Sequence, residues 1–414
     1  MYALIAMALA LVLLVVLLHL KVRLGRAMVI SAAALAILLG VSPGEFGRTV
    51  VDEWRDKPLS QTTGCLFVML TALVILVNVL GVAMKETGVS QHLASAVQGL
   101  FKSRRLALAG IPMMMGMLPT PGGIMLSAPM VRDLGDHIGI DRSHSAAINY
   151  FFRHQWETVW PLFPAVPLIQ SMLGISAFAL VSHNIAITLA GTLAGAGFLL
   201  LRGIPAKDRQ ARLKSKFSDD VRHFVGAFWP IALVAALYAM ADIPPAAGVL
   251  AAIVAFLAFH KVALNRWGRI FKAGIEWDFA FLVFGALLFK LNLQAGQAVD
   301  SVVSFLTEMH APRHLLIFLL PMLVAFLTGL TMPSVAITFP FLVPYIGTGD
   351  GAKVGLETLA FSGLVCGLLT TPVHLCMALS ASYFETSLMK IVVRVIGPVI
   401  FIAGAGVLMA AFFG

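Results

Sequence analysis

The sequence predicts an all-α polytopic membrane protein made of two inverted-topology repeats, each with about five transmembrane helices and one re-entrant hairpin. Its 414 residues are 59% hydrophobic and 12% charged, about half the charged fraction of a globular chain. Helices are expected because open sheets leave unpaired backbone groups in lipid. Two apolar stretches, 116–131 and 328–343, are each interrupted by Pro, Gly, Ser or Thr. Paired interruptions of this kind are typical of transporter binding sites.

The first repeat is predicted to cover residues 1–201. Its hairpin occupies 106–131, with both ends on the cytoplasmic side, because each apolar half of about 12 residues is too short to cross a bilayer. Residues 91–101 predict a short amphipathic helix at the membrane interface. The charged stretch 42–59 is predicted to lie outside. The five spans of this repeat are 2–20, 27–41, 61–84, 146–168 and 177–201.

Residues 202–222 form a linker with seven Lys or Arg against three Asp. The linker is predicted to be cytoplasmic, since Lys and Arg concentrate in inner loops. The second repeat covers 223–414, with a hairpin at 315–343 and another short amphipathic helix at 298–309. Its five spans are 223–240, 245–260, 277–293, 359–379 and 391–413.

Spacings between matching residues favour two repeats. Pro121 and Pro333 are 212 residues apart, and His154 and His374 are 220 apart. An odd number of spans in each repeat places the second repeat upside down in the membrane. The short basic turns then fall mostly on one side, which predicts that both termini lie outside.

Composition excludes several classes of protein. The net charge of +9 comes from short loops between apolar runs, as the positive-inside rule produces, so nucleic-acid binding is not expected. Cys65, Cys366 and Cys376 lie in apolar runs without a metal-ligand spacing, and each is interpreted as a packing residue. No catalytic or nucleotide-binding motif is present in its proper context. We therefore predict no enzyme, no metal site and no cofactor apart from Na⁺ as a coupling ion.

The interrupted stretches are predicted to bind substrate. Half-helix N-termini suit an anion and unwound carbonyl groups suit Na⁺, while hydroxyls and glycines permit close approach. The alternative is a proline kink eased by small residues in an ordinary bundle. The predicted residues are Thr120, Pro121, Gly122, Gly123 and Ser127 in the first stretch, and Thr331, Pro333, Ser334 and Thr338 in the second.

Arg153, His154 and Glu157 lie inside a predicted span, within about one helical turn of each other. Charges inside a span are costly and are functional by default. Arg153 is the candidate partner of a carboxylate or oxyanion, and Glu157 or His154 would exchange a proton. Alternatively, Arg153 and Glu157 form an i,i+4 salt bridge that holds the span in register.

His374 is the counterpart of His154 in the second repeat. It is either a hydrogen-bonded core residue or a ligand or proton relay. Thr370 and Thr371 would coordinate a cation with carbonyl groups freed near Pro372, and Asn149 is assigned to the same ion-coupling set. Lys290, near the end of its span, is predicted to extend its amine to the surface.

Three segments resemble a known family: LPTPGGIMLSAPMV, NYFFRHQWETVWPLFP at 149–164 and TPVHLCMALSASYF at 371–384. They are similar to an uncharacterised family of integral membrane proteins, DUF401, over essentially the whole chain. That family is grouped with the ion transporter superfamily of anion:sodium symporters, permeases and sodium/proton antiporters. The resemblance implies an inverted-repeat fold, a dimer, an elevator-like transport domain, and a site between two hairpin tips and two broken spans. The symporters carry Ser-Asn-Thr signatures at the tips, whereas this chain has Thr-Pro-Gly-Gly and Met-Pro-Ser.

These features predict a secondary transporter of the inner (cytoplasmic) membrane. It would be driven by H⁺ or Na⁺ and would move a small organic anion, in particular a carboxylate. The expected partners are the anionic solute, the coupling ion, the lipid bilayer and a second copy of the chain in a homodimer. One alternative is a sodium/proton antiporter without organic substrate, with Glu157 as the titrating group. Another is a membrane-embedded enzyme or assembly partner.

Overall fold

In the computed structural model the described residues are 2–89, 96, 100, 103–117, 124–202, 204, 217–308 and 312–414. The tip of the first predicted hairpin, most of the predicted helix 91–101 and most of the linker 202–222 lie outside them. In the first half the helices are α1 Tyr2–His19, α2 Leu24–Leu39, α3 Pro43–Asp56, α4 Thr63–Glu86, α5 Arg104–Gly116, α6 Ile124–His137, α7 Arg142–Arg153, α8 Ala165–Leu173 and α9 Ala177–Gly195, which continues as a π-helix, Ala196–Leu201.

The second half has the same succession of elements, one helix for each of the first half plus the short amphipathic helix at the expected place. These helices are α10 Phe217–Ala241, α11 Pro245–Phe259, α12 Leu264–Gly274, α13 Trp277–Ala295, α14 Ala298–Glu308, α15 Arg313–Thr328, α16 Thr331–Ile346, α17 Val354–Thr370, α18 Leu375–Tyr383 and α19 Leu388–Phe413. Short 3₁₀ turns occupy Leu59–Gln61 and Gly349–Gly351.

Within the described residues, seven spans are long and apolar enough to cross a membrane. They are α1, α4, α9 with its π-helical end, α10, α13, α17 with α18, and α19. The predicted spans α2 and α11 are present as shorter helices of 16 and 15 residues. The chain is therefore an all-helical, multi-pass membrane protein.

Two predicted spans are interrupted helices, the kind of broken span that the family resemblance implies. In the span predicted at 146–168, α7 ends at Arg153 and α8 begins only at Ala165. In the span predicted at 359–379, α17 ends at Thr370 and α18 begins at Leu375. Proline disfavours helix within both breaks, since it removes a backbone donor and disfavours helix in the residue before it. Both breaks contain proline, at 161 and 164 in the first and at 372 in the second.

The charged stretch 42–59 contains a helix that the sequence analysis did not assign. α3 is bent by 111° from α2. A capping box starts it: the Glu45 amide donates to Ser42 Oγ at 3.2 Å, and the Ser42 amide donates to Glu45 Oε2 at 2.8 Å. Such a reciprocal pair satisfies two otherwise orphaned donors.

The prediction that Lys290 extends to the surface is wrong. Its side chain is 4% exposed. Its ammonium Nζ donates to Glu53 Oε1 at 3.1 Å and to Thr63 Oγ1 at 3.0 Å. Glu53 Oε2 also accepts from the Thr63 amide at 3.0 Å. The Glu53 carboxylate on α3 contacts the lysine inside the fold. Because this ion pair compensates the charge of the buried amine, the amine does not need to reach water.

The helices pack as two groups. The framework group consists of α1–α4 and α10–α14, in which α2 packs along α13 and α11 packs along α4. The hairpin group consists of α5–α9 and α15–α19. In it α5 and α6 pack on α7, α15 and α16 pack on α17, and α19 packs on α17 and α9. The two groups are in contact where α16 packs against α13 and α14, and where α1 packs against α15.

Left-handed turns recur at matching places in the two halves. Positive φ follows α1 at Lys21 and α10 at Asp242, with values of 60° and 50°. Three further pairs occupy corresponding helix ends: Gly40 with Lys261, Gly88 with Gln297, and Gly174 with Glu385. Residues with side chains rarely adopt this conformation, and helix C-termini are where it most often occurs.

Candidate functional site

The second interrupted stretch is a helix break between α15 and α16. Gly329 has φ 68°, and Leu330 separates the two helices. Thr328 Oγ1 lies 3.0 Å from Ser334 Oγ, and Ser334 Oγ donates to the Leu330 carbonyl oxygen at 2.6 Å. These hydroxyls hold the two helix ends together. Pro333 lies in the first turn of α16, where a missing N–H costs little, so the chain breaks before the proline.

The break between α17 and α18 crosses this point. His374 Nδ1 donates to the Gly329 carbonyl oxygen at 2.7 Å, and a Cβ added at Gly329 would lie 3.0 Å from the His374 amide nitrogen. Thr371 Oγ1 donates to the Phe326 carbonyl oxygen and accepts from the Val373 amide at 3.2 Å. The two breaks are thus in direct backbone contact, which a glycine makes possible.

A similar crossing joins the end of α5 to the end of α7. A Cβ added at Gly116 would lie 2.1 Å from the Arg153 carbonyl oxygen. The Arg153 guanidinium Nη1 donates to the Met115 carbonyl oxygen at 2.9 Å, and Trp156 Nε1 donates to the Met113 carbonyl oxygen at 3.0 Å. The beginning of the first interrupted stretch, at Gly116, therefore contacts the backbone at the end of α7. Its predicted tip residues Thr120, Pro121, Gly122 and Gly123 lie outside the described residues.

The start of α7 is tied to α19 by charge. Ser143 Oγ donates to Asp141 Oδ2, and Arg394 Nη2 donates to the same oxygen at 3.0 Å. The hydrogen bond from Ser143, followed by that from Arg394, lowers the pKa of Asp141 below its ordinary value. Since α7 is fixed at this end, the position of Arg153 at its other end is defined.

Beyond Arg153 the chain forms turns that bring two histidines together. His154 Nδ1 donates to the Tyr150 carbonyl oxygen at 2.6 Å, and its Nε2 lies 3.0 Å from Nε2 of His374. Tyr150 donates its hydroxyl to the Leu368 carbonyl oxygen at 3.0 Å, and its ring lies 4.7 Å from that of His154. Glu157 Oε1 lies 3.8 Å from His154 Nε2. The predicted helical i,i+4 pair of Arg153 and Glu157 does not form as such, because the helix ends at Arg153.

A cavity of about 220 Å³ opens where these breaks meet. It lies between the two helix groups, with α4 and α13 on one side and the breaks on the other. Oε2 of the buried Glu157 has no hydrogen-bond partner among the described residues. An arginine, a carboxylate with one unbonded oxygen and two imidazoles in a largely apolar cavity suit a small charged solute. The predicted site residues that line it are Arg153, His154, Glu157, Thr331, Pro333 and His374.

The other predicted residues brace the breaks. Ser127 Oγ donates to Asn149 Oδ1 at 2.6 Å, which links α6 to α7. Thr338 Oγ1 donates to the Ser334 carbonyl oxygen at 2.7 Å, and Thr370 Oγ1 to the Cys366 carbonyl oxygen at 2.8 Å. Hydroxyls bonded to their own helix in this way shape the backbone. These residues and Thr371 are not among those that line the cavity.

Two polar features near the breaks escaped the sequence analysis. Cys376 lines the cavity beside the histidines, although its apolar surroundings in the sequence indicated a packing residue. Glu357, fully buried on α17, accepts from Asn184 Nδ2 at 3.2 Å. A span boundary set at Val354 would have placed this carboxylate inside the membrane segment and marked it as a candidate.

Comparison with known proteins agrees with this architecture. The crystal structure of the YdaH transporter of Alcanivorax borkumensis, described as having an unusual topology, superposes with a TM-score of 0.59 at 13% sequence identity. The match covers 92% of this chain and 88% of that one. No curated protein sequence matches the chain. The family described as "Protein of unknown function (DUF401)" matches residues 3–412, so the chain belongs to the DUF401 family.

Proposed function

We propose that this protein is a secondary transporter that moves a small organic anion, in particular a carboxylate, coupled to H⁺ or Na⁺. The observation that carries the proposal is the cavity between the two helix groups, where four helix ends meet and Arg153 lies against apolar walls. A buried guanidinium binds a carboxylate strongly. The likeness of the fold to a transporter supports the same class of function.

The residues divide into two roles in this proposal. Arg153 and the tips of the two interrupted stretches would hold the anion, with Thr331 and Pro333 at the first turn of α16. A helix N-terminus adds partial positive charge at that point. The coupling cation would bind at Glu157, whose Oε2 lacks a partner among the described residues, with His154 and His374 beside it. Asn149, Thr370 and Thr371 would keep these groups in place.

The architecture we propose is a pair of inverted repeats, 1–201 and 223–414, joined by the basic linker 202–222. The hairpin group would move as a body against the framework group, as in an elevator. We place the protein in the inner membrane within the ion transporter superfamily, as a homodimer with both termini outside. The recurrence of left-handed turns at matching helix ends supports the repeat.

Uptake into proteoliposomes tests this function. We expect labelled small carboxylates to accumulate under an inward Na⁺ or H⁺ gradient. Arg153→Gln should lower uptake at least tenfold, because losing a charged hydrogen bond of about 1.5–3 kcal/mol weakens binding by one to two orders of magnitude. Arg266→Gln, at an exposed arginine paired with Glu86, is the matched control and should transport normally. Failure of every carboxylate to accumulate under either gradient would contradict the proposal.

The unpartnered Glu157 oxygen also favours a second candidate, a sodium/proton antiporter without organic substrate. In that case a pH gradient should drive Na⁺ flux in liposomes with no carboxylate present. Glu157→Gln should abolish this flux, whereas Glu86→Gln on the surface should not. Carboxylate-dependent flux that requires Arg153 would decide against the antiporter.

A further inference from the structure

The two histidines of the site face each other with the same ring edge. In both, Nδ1 contacts a backbone carbonyl oxygen, of Tyr150 for His154 and of Gly329 for His374. A carbonyl oxygen only accepts, so each Nδ1 must carry the proton. In the neutral rings both Nε2 atoms then present a lone pair, and these atoms are 3.0 Å apart. Two lone pairs at this distance repel each other, and a cation between them removes the repulsion.

Cys376 supplies a third ligand atom at the same place. Its Sγ and the two histidine nitrogens all lie within 4.8 Å of one another. In a tetrahedral zinc site with Zn–N of about 2.0–2.1 Å and Zn–S of about 2.3 Å, two nitrogens are about 3.3 Å apart and nitrogen and sulfur about 3.6 Å. The histidine pair is already near this spacing, and the cysteine sulfur lies within 4.8 Å of both imidazoles.

The surroundings match those of metal ligands. A ligating imidazole almost always donates its other N–H to a carbonyl or carboxylate oxygen, which fixes the tautomer and the ring orientation. Both histidines have such a carbonyl partner. A set of two imidazoles and one thiolate selects zinc and its borderline neighbours over Mg²⁺ or Ca²⁺. Glu157, 3.8 Å from His154 Nε2, supplies a second negative charge against the nearby Arg153.

We propose that His154 Nε2, His374 Nε2 and Cys376 Sγ form a binding site for a divalent transition metal such as Zn²⁺. The cysteine thiol releases its proton when the metal binds. Three protein ligands leave one coordination position, which faces the cavity and accepts Glu157 or a small anion. The site joins the break after α7 to the break after α17. Its existence does not depend on the proposed transport activity, because binding is measured on the protein at rest.

Cobalt spectroscopy on the purified full-length protein tests the site. After chelator treatment and dialysis, titration with Co²⁺ should give the visible absorption of tetrahedral cobalt and a near-ultraviolet thiolate-to-cobalt band, saturating at one ion per chain. Added Zn²⁺ should bleach both. Cys376→Ser should remove the thiolate band, and His374→Gln should weaken Co²⁺ binding at least tenfold. Cys366→Ser, at a cysteine buried in α17, is the matched control and should keep both signals.

Two results would overturn the assignment. One is the lack of tetrahedral absorption in the wild-type protein, which would leave a shared proton between the histidines. The other is a thiolate band that survives Cys376→Ser. If that variant does not fold, Cys376→Ala and His154→Gln provide the same comparison. Metal binding without transport would support the site and count against the function proposed above, so the two proposals fail separately.

Discussion

At the scale of single residues, the buried ion pair of Glu53 and Lys290 should contribute strongly to the stability of the folded protein. Both side chains are about 95% buried, so removal of Lys290 leaves the buried Glu53 carboxylate with the partly exposed Lys57 as its charged partner. Breaking such a pair costs about 3–5 kcal/mol. We expect Lys290→Met to lower the thermal unfolding midpoint of the purified protein by many degrees, measured by intrinsic fluorescence in detergent.

Lys57 provides the matched control. It contacts the same oxygen of Glu53 at 2.7 Å but is 36% exposed, and exposed pairs contribute about 0–1 kcal/mol. Lys57→Met should therefore change the midpoint little. The double variant Glu53→Gln/Lys290→Met should recover part of the lost midpoint, because the buried carboxylate is removed together with the lysine. Equal midpoints for Lys290→Met and Lys57→Met would show that the pair carries no special stability.

At the scale of residues, the sequence indicates side chains that the fold brings together, but it does not give their partners. Arg153, His154, Glu157 and His374 were chosen because charged and titratable groups are rare in apolar spans, and all four line one cavity. The prediction that Lys290 extends to the surface is wrong because its partner, Glu53, lies on a helix far away in the chain. Contacts between distant residues depend on tertiary packing, which no local pattern records.

Helix crossings are the decisive feature at the scale of elements, and Gly116 permits one of them. A methyl group there would overlap the Arg153 carbonyl oxygen, so α5 and the end of α7 must separate. Overpacking of this kind costs about 1–3 kcal/mol. We expect Gly116→Ala to lower the thermal midpoint and to abolish carboxylate uptake in proteoliposomes, because Arg153 is displaced.

Gly226 on α10 is the comparison for this variant. No heavy atom of the described residues would lie within 4 Å of its added Cβ. Alanine there should stabilise the helix by about 0.5–1 kcal/mol and leave uptake unchanged. Normal transport by Gly116→Ala would mean that the end of α7 is not part of the transport site.

Most elements could be predicted from apolar length and from proline and glycine. The breaks were harder to place, since the backbone turns where a tertiary contact is available rather than at the nearest proline. The second interrupted stretch illustrates this: it breaks at Gly329, against His374, and Pro333 continues in helix. The helix α3 is not predicted because its stretch is highly charged, although a capping box stabilises its first turn.

At the scale of the whole molecule, an inverted repeat places matching turns on opposite faces of the membrane. In the proposed arrangement Lys21 and Asp242 would be such a pair; both are exposed and both have positive φ. We expect a membrane-impermeant maleimide added to intact cells to label Asp242→Cys and not Lys21→Cys. The background should have Ser in place of the three native cysteines. Permeabilised cells should label both.

Labelling of both variants, or of neither, in intact cells would rule out the inverted arrangement. The sequence could suggest this arrangement through the equal spacing of its breaks and through its basic turns. It could not show that the helices divide into two packed groups. That division arises from contacts between the two halves of the chain, such as α2 on α13 and α11 on α4.

The contact between Gly329 and His374 has a consequence for any cargo. Both breaks belong to the hairpin group, and the histidine of one is fastened to the backbone of the other. In the proposed movement of the hairpin group, a solute held at the crossing would travel together with its ligands and would not be passed from one set to another. The energy barrier to transport would then come from apolar surfaces of the two helix groups sliding past each other. The contacts between the solute and its ligands would stay the same throughout the movement.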